Sequence, residues 1–208
     1  MSQRERRAVA HLRAADPVLA SMIDDLGGDV PRWTPDADPY GAIIRAIVSQ
    51  QLSTIAARAI LGRLQDRFGG RNPTPAEVLA DDPDELKSVG LSRAKVVSLR
   101  SLAEHLEDGE LELGALRTLS DDELIAQLTA VKGIGEWTAQ VFLVVGLARE
   151  DVLVAGDLVI RQAVRRGWGL DHLPERAELY ALGEAWRPHR STACAVLWAW
   201  ARVGGPTA

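Results

Sequence analysis

The sequence lacks the features of secreted, membrane-spanning and cysteine-ligated metal proteins. It holds one cysteine, Cys194, so neither an intrachain disulfide nor an iron–sulfur or zinc site built on four cysteines can form. No uncharged apolar run of about 18 residues occurs, and the start, Met-Ser-Gln-Arg-Glu-Arg-Arg, lacks the apolar core of a signal peptide. We therefore expect an intracellular, cytoplasmic protein with no membrane segment.

A surplus of positive charge is also missing. The net charge of −5 over 208 residues argues against binding nucleic acid by bulk electrostatics, although it leaves local binding open. Acidic residues concentrate at 81–85 and 107–112, whereas arginines crowd the C-terminal third. This segregation predicts one basic face, with ordinary solvated surface arginines as the alternative. The arginines concerned are Arg161, Arg165, Arg166, Arg176, Arg187 and Arg190.

Strand signals are nearly absent, whereas helix signals recur. Asp-Pro pairs begin at residues 16, 38 and 82 and are typical of an N-cap followed by proline at the first helical position. Ser120 and Glu123 form a capping box, and the one strand-like run, residues 152–155, is very short. We predict an all-α fold with helices at 4–14, 17–26, 39–50, 54–68, 75–81, 83–89, 92–107, 121–130, 136–147, 158–167, 175–186 and 189–203.

Residues 128–143 are the most informative stretch. Gly133 and Gly135 bracket Ile134 between two apolar helical patterns, which predicts a helix, a tight hairpin and a second helix. Backbone N–H groups at the start of a helix favour a bound phosphate without any basic side chain. A plain turn between packed helices is the alternative interpretation.

A second informative residue is Asp157, which follows Gly156. Ile160, Ala163 and Val164 mark a buried helix face just after it, so Asp157 lies where an N-cap belongs. The helix dipole and backbone N–H bonds would keep such a carboxylate ionised, as a charge-stabilising catalytic group requires. One residue could serve both roles.

The hairpin Val131-Lys-Gly-Ile-Gly-Glu-Trp-Thr-Ala139, with Asp157 22 residues after Gly135, resembles the helix-hairpin-helix superfamily of DNA glycosylases. Residues 45–53 and 186–198 resemble its alkylation-repair branch, DNA-3-methyladenine glycosylase II. The resemblance implies one all-α domain over residues 1–208, with an active-site cleft between two lobes. Lobe one would span about 36–137, and lobe two about 1–35 with 138–208.

The resemblance also implies an enzyme of one activity. Asp157 falls at the family's catalytic aspartate, which stabilises the oxocarbenium ion or orients water. Trp137 stands where strand-cutting members carry a lysine, and tryptophan cannot form a Schiff base. We therefore expect a monofunctional glycosylase that removes 3-methyladenine or 7-methylguanine, and in a roomier pocket ethenoadenine, and leaves the strand intact.

The base pocket and the DNA contacts follow from the same matches. Trp137 and Trp198 would wall the pocket, with Leu158 and Val141 at positions that are often aromatic in this branch. Gln51 falls at the wedge that fills the gap left by the flipped nucleotide. The remaining tryptophans, Trp33, Trp168, Trp186 and Trp200, are expected to be packing residues. The other expected DNA contacts are Lys132, Gly133, Ile134, Gly135, Glu136 and Arg161.

No metal or other cofactor is implied, except a monovalent cation that this family often holds on the hairpin carbonyls. We expect a monomer that acts on duplex DNA containing alkylated bases. One alternative is a catalytically silent helix-hairpin-helix protein that only binds DNA, which has no need of Asp157. Another is an oxidised-base glycosylase with lyase activity, which Trp137 and the missing cysteine cluster disfavour.

Overall fold

The computed structural model describes residues 2–203. Within this range every regular element is helical and no strand forms, so the predicted all-α fold is confirmed. The chain divides into two compact units. The central unit is Pro35–Leu147, and the terminal unit joins the described residues before Pro35 to those from Ala148 onwards.

The helices follow the predicted ones closely because their ends are marked by local signals. The side chains of Asp16, Asp38 and Asp82 each accept a backbone N–H at the start of a helix, and Ser120 and Glu123 form the predicted capping box. The helices are α1 Gln3–Ala15, α2 Pro17–Asp25, α3 Pro39–Ser49, α4 Thr54–Arg67, α5 Pro75–Ala80, α6 Pro83–Ser88, α7 Arg93–Glu107, α8 Asp121–Ala130, α9 Glu136–Val141, α10 Leu158–Gly167, α11 Arg176–Gly183 and α12 Arg190–Val203.

Two of the predicted helices change type along their length. The helix expected over 136–147 continues beyond α9 as a π-helical turn, Phe142–Gly146, closed by the Leu147 N–H donating to the Phe142 carbonyl at 3.0 Å. The helix expected over 175–186 ends in a 3₁₀ turn, Glu184–Trp186. Neither change has a local sequence signal.

One boundary between the units differs from the predicted boundary between the lobes. Lobe one was expected to end at about 137, whereas the central unit continues to Leu147. The reason is packing, because α9 and the π-helical turn lie against α3. A Cβ on Gly146 would lie 3.1 Å from that of Ala42, and the Asp36 N–H donates to the Gly146 carbonyl at 2.8 Å. The N-terminal boundary, before Pro35, is close to the predicted one.

The terminal unit packs α10 and α2 against α12, and α1 against α2. Trp186 is fully buried and donates its indole N–H to the Asp16 carboxylate at 3.0 Å, as suits a packing residue. Trp200, also expected inside, is only partly buried. Its indole donates to Asp25 at 2.8 Å, and the Arg166 guanidinium carbon lies 3.7 Å from its ring centroid. The mostly apolar sequence of α12 gave no indication of these polar contacts of Trp200.

None of the helices within residues 2–203 is long and apolar enough to cross a membrane.

Candidate active site and nucleic-acid interface

Asp157 occupies the predicted N-cap of α10. The buried segment 152–155 leads into a turn in which the Asp157 N–H donates to the Val154 carbonyl at 3.0 Å. The Asp157 Oδ1 then accepts the Ile160 N–H at 2.9 Å, which satisfies one of the donors at the helix start. With 7% of its surface exposed, the carboxylate is nearly enclosed, so its orientation is set by the fold.

Trp198 of α12 reaches the same carboxylate. Its indole Nε1 donates to the Asp157 Oδ1 at 3.1 Å, so one oxygen accepts both a helix-start N–H and an indole N–H. Two fixed donors on one oxygen restrict how the carboxylate can turn. The predicted catalytic residue and one predicted pocket wall are therefore joined directly.

Trp33 extends this group, although it was expected to be a packing residue. Its ring lies edge-to-face with Trp198, with centroids 5.8 Å apart and planes at 90°. Trp33 is only partly buried. It precedes α3 in an irregular segment, and no periodic pattern in the sequence links it to Trp198.

Leu158 and Arg161 are the other expected site residues of the terminal unit. They differ in how far their side chains are exposed to solvent. Leu158 is the first residue of α10 and is 55% exposed beside Asp157. Arg161 is partly buried, its Nε donates to the Pro174 carbonyl at 2.8 Å, and its guanidinium lies 4.0 Å from Glu175. DNA binding by Arg161 remains a prediction.

Three arginines of the predicted basic face contact side chains within the terminal unit. Arg187 and Arg190 both donate to the Asp151 carboxylate at 2.8 Å, and Arg187 also pairs with Glu184 at 3.0 Å. Arg166 lies over Trp200. These three arginines contact neighbours within the terminal unit, and one basic surface in the C-terminal third remains a prediction.

The hairpin of the central unit has two glycines with different tasks. Gly133 has a φ of +84°, which side chains rarely adopt, and a Cβ there would overlap the Ser98 hydroxyl. Gly135, with a φ of −95°, is the N-cap of α9 and has no neighbour near its would-be Cβ. Gly133 therefore serves the fold, whereas Gly135 keeps the surface at the start of α9 open.

The hairpin exposes backbone more than side chains. Ile134 is 4% exposed and its N–H donates to the Val131 carbonyl at 3.0 Å, so this residue could meet DNA only through its main chain. Lys132 and Glu136 are exposed, and the Glu136 carboxylate accepts the Gln140 amide at 3.0 Å.

Helix α7 contacts the hairpin through two serine side chains. The Lys132 N–H donates to the Ser101 hydroxyl at 3.1 Å, and Ser98, one turn earlier, lies against Gly133. Both serines are buried. Neither serine was predicted to be a site residue, although their i, i+3 spacing on the buried face of α7 was an available signal.

The turn after α3 contains the predicted wedge and a residue that the sequence reasoning missed. Gln50 Nε2 donates to the Gly133 carbonyl at 3.0 Å and to the Thr138 hydroxyl at 2.9 Å, so it ties this turn to the hairpin and to α9. Gln51 is exposed, with a φ of +56°. A non-glycine residue held in this strained region is typical of functional sites.

Trp137 and Val141, the remaining expected pocket residues, lie one helical turn apart on α9 and are both partly buried. The intervening Thr138, Ala139 and Gln140 are buried. The structure thus brings the predicted residues into two groups, one in each unit. Asp157, Leu158 and Trp198 share the terminal unit, whereas Trp137, Val141, Gln51 and the hairpin share the central unit.

A helix-hairpin-helix element and a helix-capping aspartate define the class of this protein. Residues 44–188 match the family model described as HhH-GPD superfamily base excision DNA repair protein. The chain belongs to this superfamily, so the family predicted from the hairpin and Asp157 is confirmed.

Individual relatives are similar over most of the chain. DNA-3-methyladenine glycosylase 1 of Schizosaccharomyces pombe is 35% identical over 195 residues, which cover 92% of this chain and 86% of that protein. The alkylbase DNA glycosidase-like protein mag2 of the same yeast is 28% identical, with coverages of 93% and 92%. The solved S. pombe 3-methyladenine DNA glycosylase Mag1, in complex with abasic DNA, superposes with a TM-score of 0.90 at 33% identity, over 97% of this chain and 100% of that one.

Proposed function

We propose that this chain is a monofunctional DNA glycosylase of the DNA-3-methyladenine glycosylase II type. It would flip alkylated bases out of duplex DNA, hydrolyse their N-glycosidic bond and leave an abasic site for base excision repair. The observation that carries the proposal is the Asp157 carboxylate, oriented by the α10 backbone and by the Trp198 indole. The names of the similar yeast proteins support the same substrate class.

The chemistry suits a carboxylate placed beside the deoxyribose. Breaking the bond between C1′ and the base nitrogen places positive charge on the deoxyribose, which Asp157 can stabilise. Water then adds to C1′ and loses a proton, while the base leaves with the bonding electrons. Bases such as 3-methyladenine and 7-methylguanine are cationic in DNA and depart as neutral molecules, so no general acid is needed on the base.

The absence of lyase activity is proposed from position 137. A lyase needs a primary amine that attacks C1′, and the Trp137 indole cannot supply one. An indole such as that of Trp137 or that of Trp198 can instead stack on a flipped purine, because its electron-rich ring attracts a cationic base. The aliphatic side chains of Leu158 and Val141, at positions that are often aromatic in this branch, favour a broader substrate range that includes ethenoadenine.

DNA would be held mainly by the central unit. The main chain of residues 132–136 offers a phosphate seat, and the exposed, strained Gln51 is suited to fill the gap left by the flipped nucleotide. We propose that the protein acts as a cytoplasmic monomer without a catalytic metal, and that any monovalent cation binds at the hairpin carbonyls. One of these carbonyls, that of Gly133, also accepts the Gln50 amide.

The proposal is tested by base release from duplex oligonucleotides that carry 7-methylguanine, 1,N6-ethenoadenine or 8-oxoguanine. Wild-type protein and Asp157→Asn are compared, and hot alkali reveals abasic sites. Asparagine is also a good N-cap, so Asp157→Asn should fold and bind DNA while release is lost. Strand scission only after alkali, on the alkylated substrates and only with wild type, is the expected result.

Three other outcomes would each correct the proposal. Scission without alkali, or a covalent adduct trapped by borohydride, would establish a lyase. Release by Asp157→Asn at the wild-type rate would remove Asp157 from the mechanism. DNA binding with no release from any substrate would favour the silent binding protein.

A further inference from the structure

Lys95 of α7 is a buried cation without a partner. It is 8% exposed, and its ammonium makes no hydrogen bond or ion pair with any residue of the described range 2–203. Burial lowers the pKa of this ammonium below its usual range. The two other lysines of the chain are not buried and unpaired in this way, because Lys87 pairs with Asp84 at 2.5 Å and Lys132 is exposed.

The end of the Lys95 side chain still reaches solvent. Across residues 2–203, the Tyr40 hydroxyl is the one enclosed side-chain polar atom that lacks a hydrogen-bond partner, so the Lys95 Nζ is not sealed inside. A stem packed along apolar surface with its charged head at the surface is a familiar arrangement for lysine. What is unusual is the lack of a carboxylate or carbonyl beside the head, because buried charges are normally paired.

Lys95 lies one helical turn before Ser98, on the face of α7 that contacts the hairpin. Lys132 is bonded to Ser101, and Gly133 lies against Ser98, so the hairpin advances toward the N-terminus of α7 by one turn per residue. Lys95 is the next residue of this series, at i−3 from Ser98, and residues three apart lie on one helix face. Lys95 therefore continues the line of Ser101 and Ser98 along the helix face on which the hairpin lies.

The surroundings of Lys95 favour an anion. Ser92 caps α7, a 15-residue helix with no acidic residue in its first turn, and the exposed Arg93 adds a second positive charge there. Positive side chains at a helix start are unfavourable to the fold, because the dipole already makes this end positive. An anion that approaches this surface would be attracted by both lysine and arginine.

We propose that Lys95 is a phosphate-binding residue of the DNA interface and holds the backbone phosphate next to the one seated on the hairpin. This inference rests on the proposed function, since it needs a protein that binds duplex DNA. It adds a fixed positive charge to an interface that is otherwise mostly main chain, in a protein whose net charge is −5. It also accounts for an unpaired lysine that the fold alone does not require.

The test compares Lys95→Met with Lys87→Met in the full-length protein. Methionine keeps the apolar stem and removes the charge, and Lys87→Met removes an exposed lysine of the same unit that is already paired. Binding to a duplex that holds a tetrahydrofuran abasic analogue is measured by fluorescence anisotropy between about 50 and 200 mM salt. We expect Lys95→Met to bind several-fold more weakly and to lower the slope of log K against log salt by about one. Lys87→Met should match wild type.

Thermal unfolding separates a DNA contact from a structural role. Removing an unpaired buried charge should leave the melting temperature of Lys95→Met equal to or above that of wild type. A lower melting temperature with an unchanged salt slope would overturn the proposal. So would wild-type affinity and slope in Lys95→Met.

A second readout does not depend on substitution. Reductive methylation with ¹³C-formaldehyde labels the three lysines, and the pKa of dimethylated Lys95 is followed by NMR with and without DNA. A bound phosphate should raise this pKa, whereas an unchanged value would overturn the inference. Wild-type protein that binds no duplex would refute both this inference and the proposed function, whereas normal wild-type binding with unaltered Lys95→Met would refute this inference alone.

Discussion

Trp198 donates its indole N–H to the same Asp157 oxygen that accepts the Ile160 N–H at the start of α10. The carboxylate is therefore held from two helices at once, by the backbone of α10 and by a side chain of α12. Because the chain belongs to a superfamily of base excision repair proteins, this link connects a helix cap to a candidate reaction centre.

Replacing Trp198 with phenylalanine should impair catalysis more than binding. Phenylalanine keeps an aromatic ring at this position but has no N–H group. Asp157 therefore loses one charge-assisted hydrogen bond, which contributes about 1.5–3 kcal/mol. We expect single-turnover release of 7-methylguanine to slow about 10- to 100-fold, with DNA affinity nearly unchanged.

Trp200→Phe on the same helix is the matched control. It loses the bond to Asp25 and part of its attraction to Arg166, so it should lose about 1 kcal/mol of stability and keep wild-type release. Equal release by Trp198→Phe and wild type would show that the indole bond does not support the reaction.

The two hairpin glycines should respond differently to alanine. Gly133→Ala forces a side chain into the left-handed region and against Ser98, which should cost about 1–3 kcal/mol of stability in a denaturant titration. Gly135→Ala meets no neighbour and should keep wild-type stability.

DNA binding by Gly135→Ala should nevertheless weaken, because the added methyl group stands where the hairpin backbone would approach a phosphate. Fluorescence anisotropy with a duplex that holds a tetrahydrofuran abasic analogue measures the affinity of the variant for DNA. Wild-type affinity in Gly135→Ala would argue that the phosphate does not reach the start of α9.

Substitutions of the two glutamines after α3 should have different effects, because Gln51 is the proposed wedge in the duplex whereas Gln50 supports the hairpin. Glycine adopts a positive φ without strain, which should stabilise the Gln51→Gly variant, but it also makes the unfolded chain more flexible, which destabilises the fold. Because these effects oppose each other, the free energy of unfolding should change by less than about 1 kcal/mol. Excision should fall if this side chain fills the gap in the duplex, as 2-aminopurine fluorescence opposite the lesion would report.

Gln50→Ala should act by another route. It removes the bonds to Gly133 and Thr138, so the hairpin should exchange its amide hydrogens faster. Unchanged exchange at residues 132–136 would contradict a supporting role for Gln50.

Cys194 should report global unfolding. It is fully buried, and burial raises the pKa of its thiol to about 12, so the reactive thiolate is suppressed in the folded state. The thiol ionises near pH 9 once unfolded, so this group destabilises the fold as pH rises from about 9 toward 12.

Alkylation of Cys194 by iodoacetamide at pH 8 should therefore be slow and should accelerate in step with the unfolding transition in urea. Rapid labelling of folded protein would show that α12 opens locally.

Much of the secondary structure was predictable because its signals are local. Asp16, Asp38 and Asp82 each precede a proline, and each caps the helix that the pair predicted. Asp157 was predictable for the same reason, since a cap is decided within three residues of sequence. The π-helical turn at Phe142–Gly146 was not, because its packing on α3 involves residues about a hundred positions earlier.

The sequence by itself determined the helices, their caps, the Gly133 hairpin and the family, all of which depend on neighbours along the chain. Only the tertiary structure decided that Trp198 reaches Asp157, that Gln50 rather than Gln51 supports the hairpin, and that Trp200 lies outside the core. It also decided that the side chain of Lys95 is mostly buried without a partner. These relationships join residues that are distant in sequence, and burial and hydrogen-bond partners arise only when the helices pack.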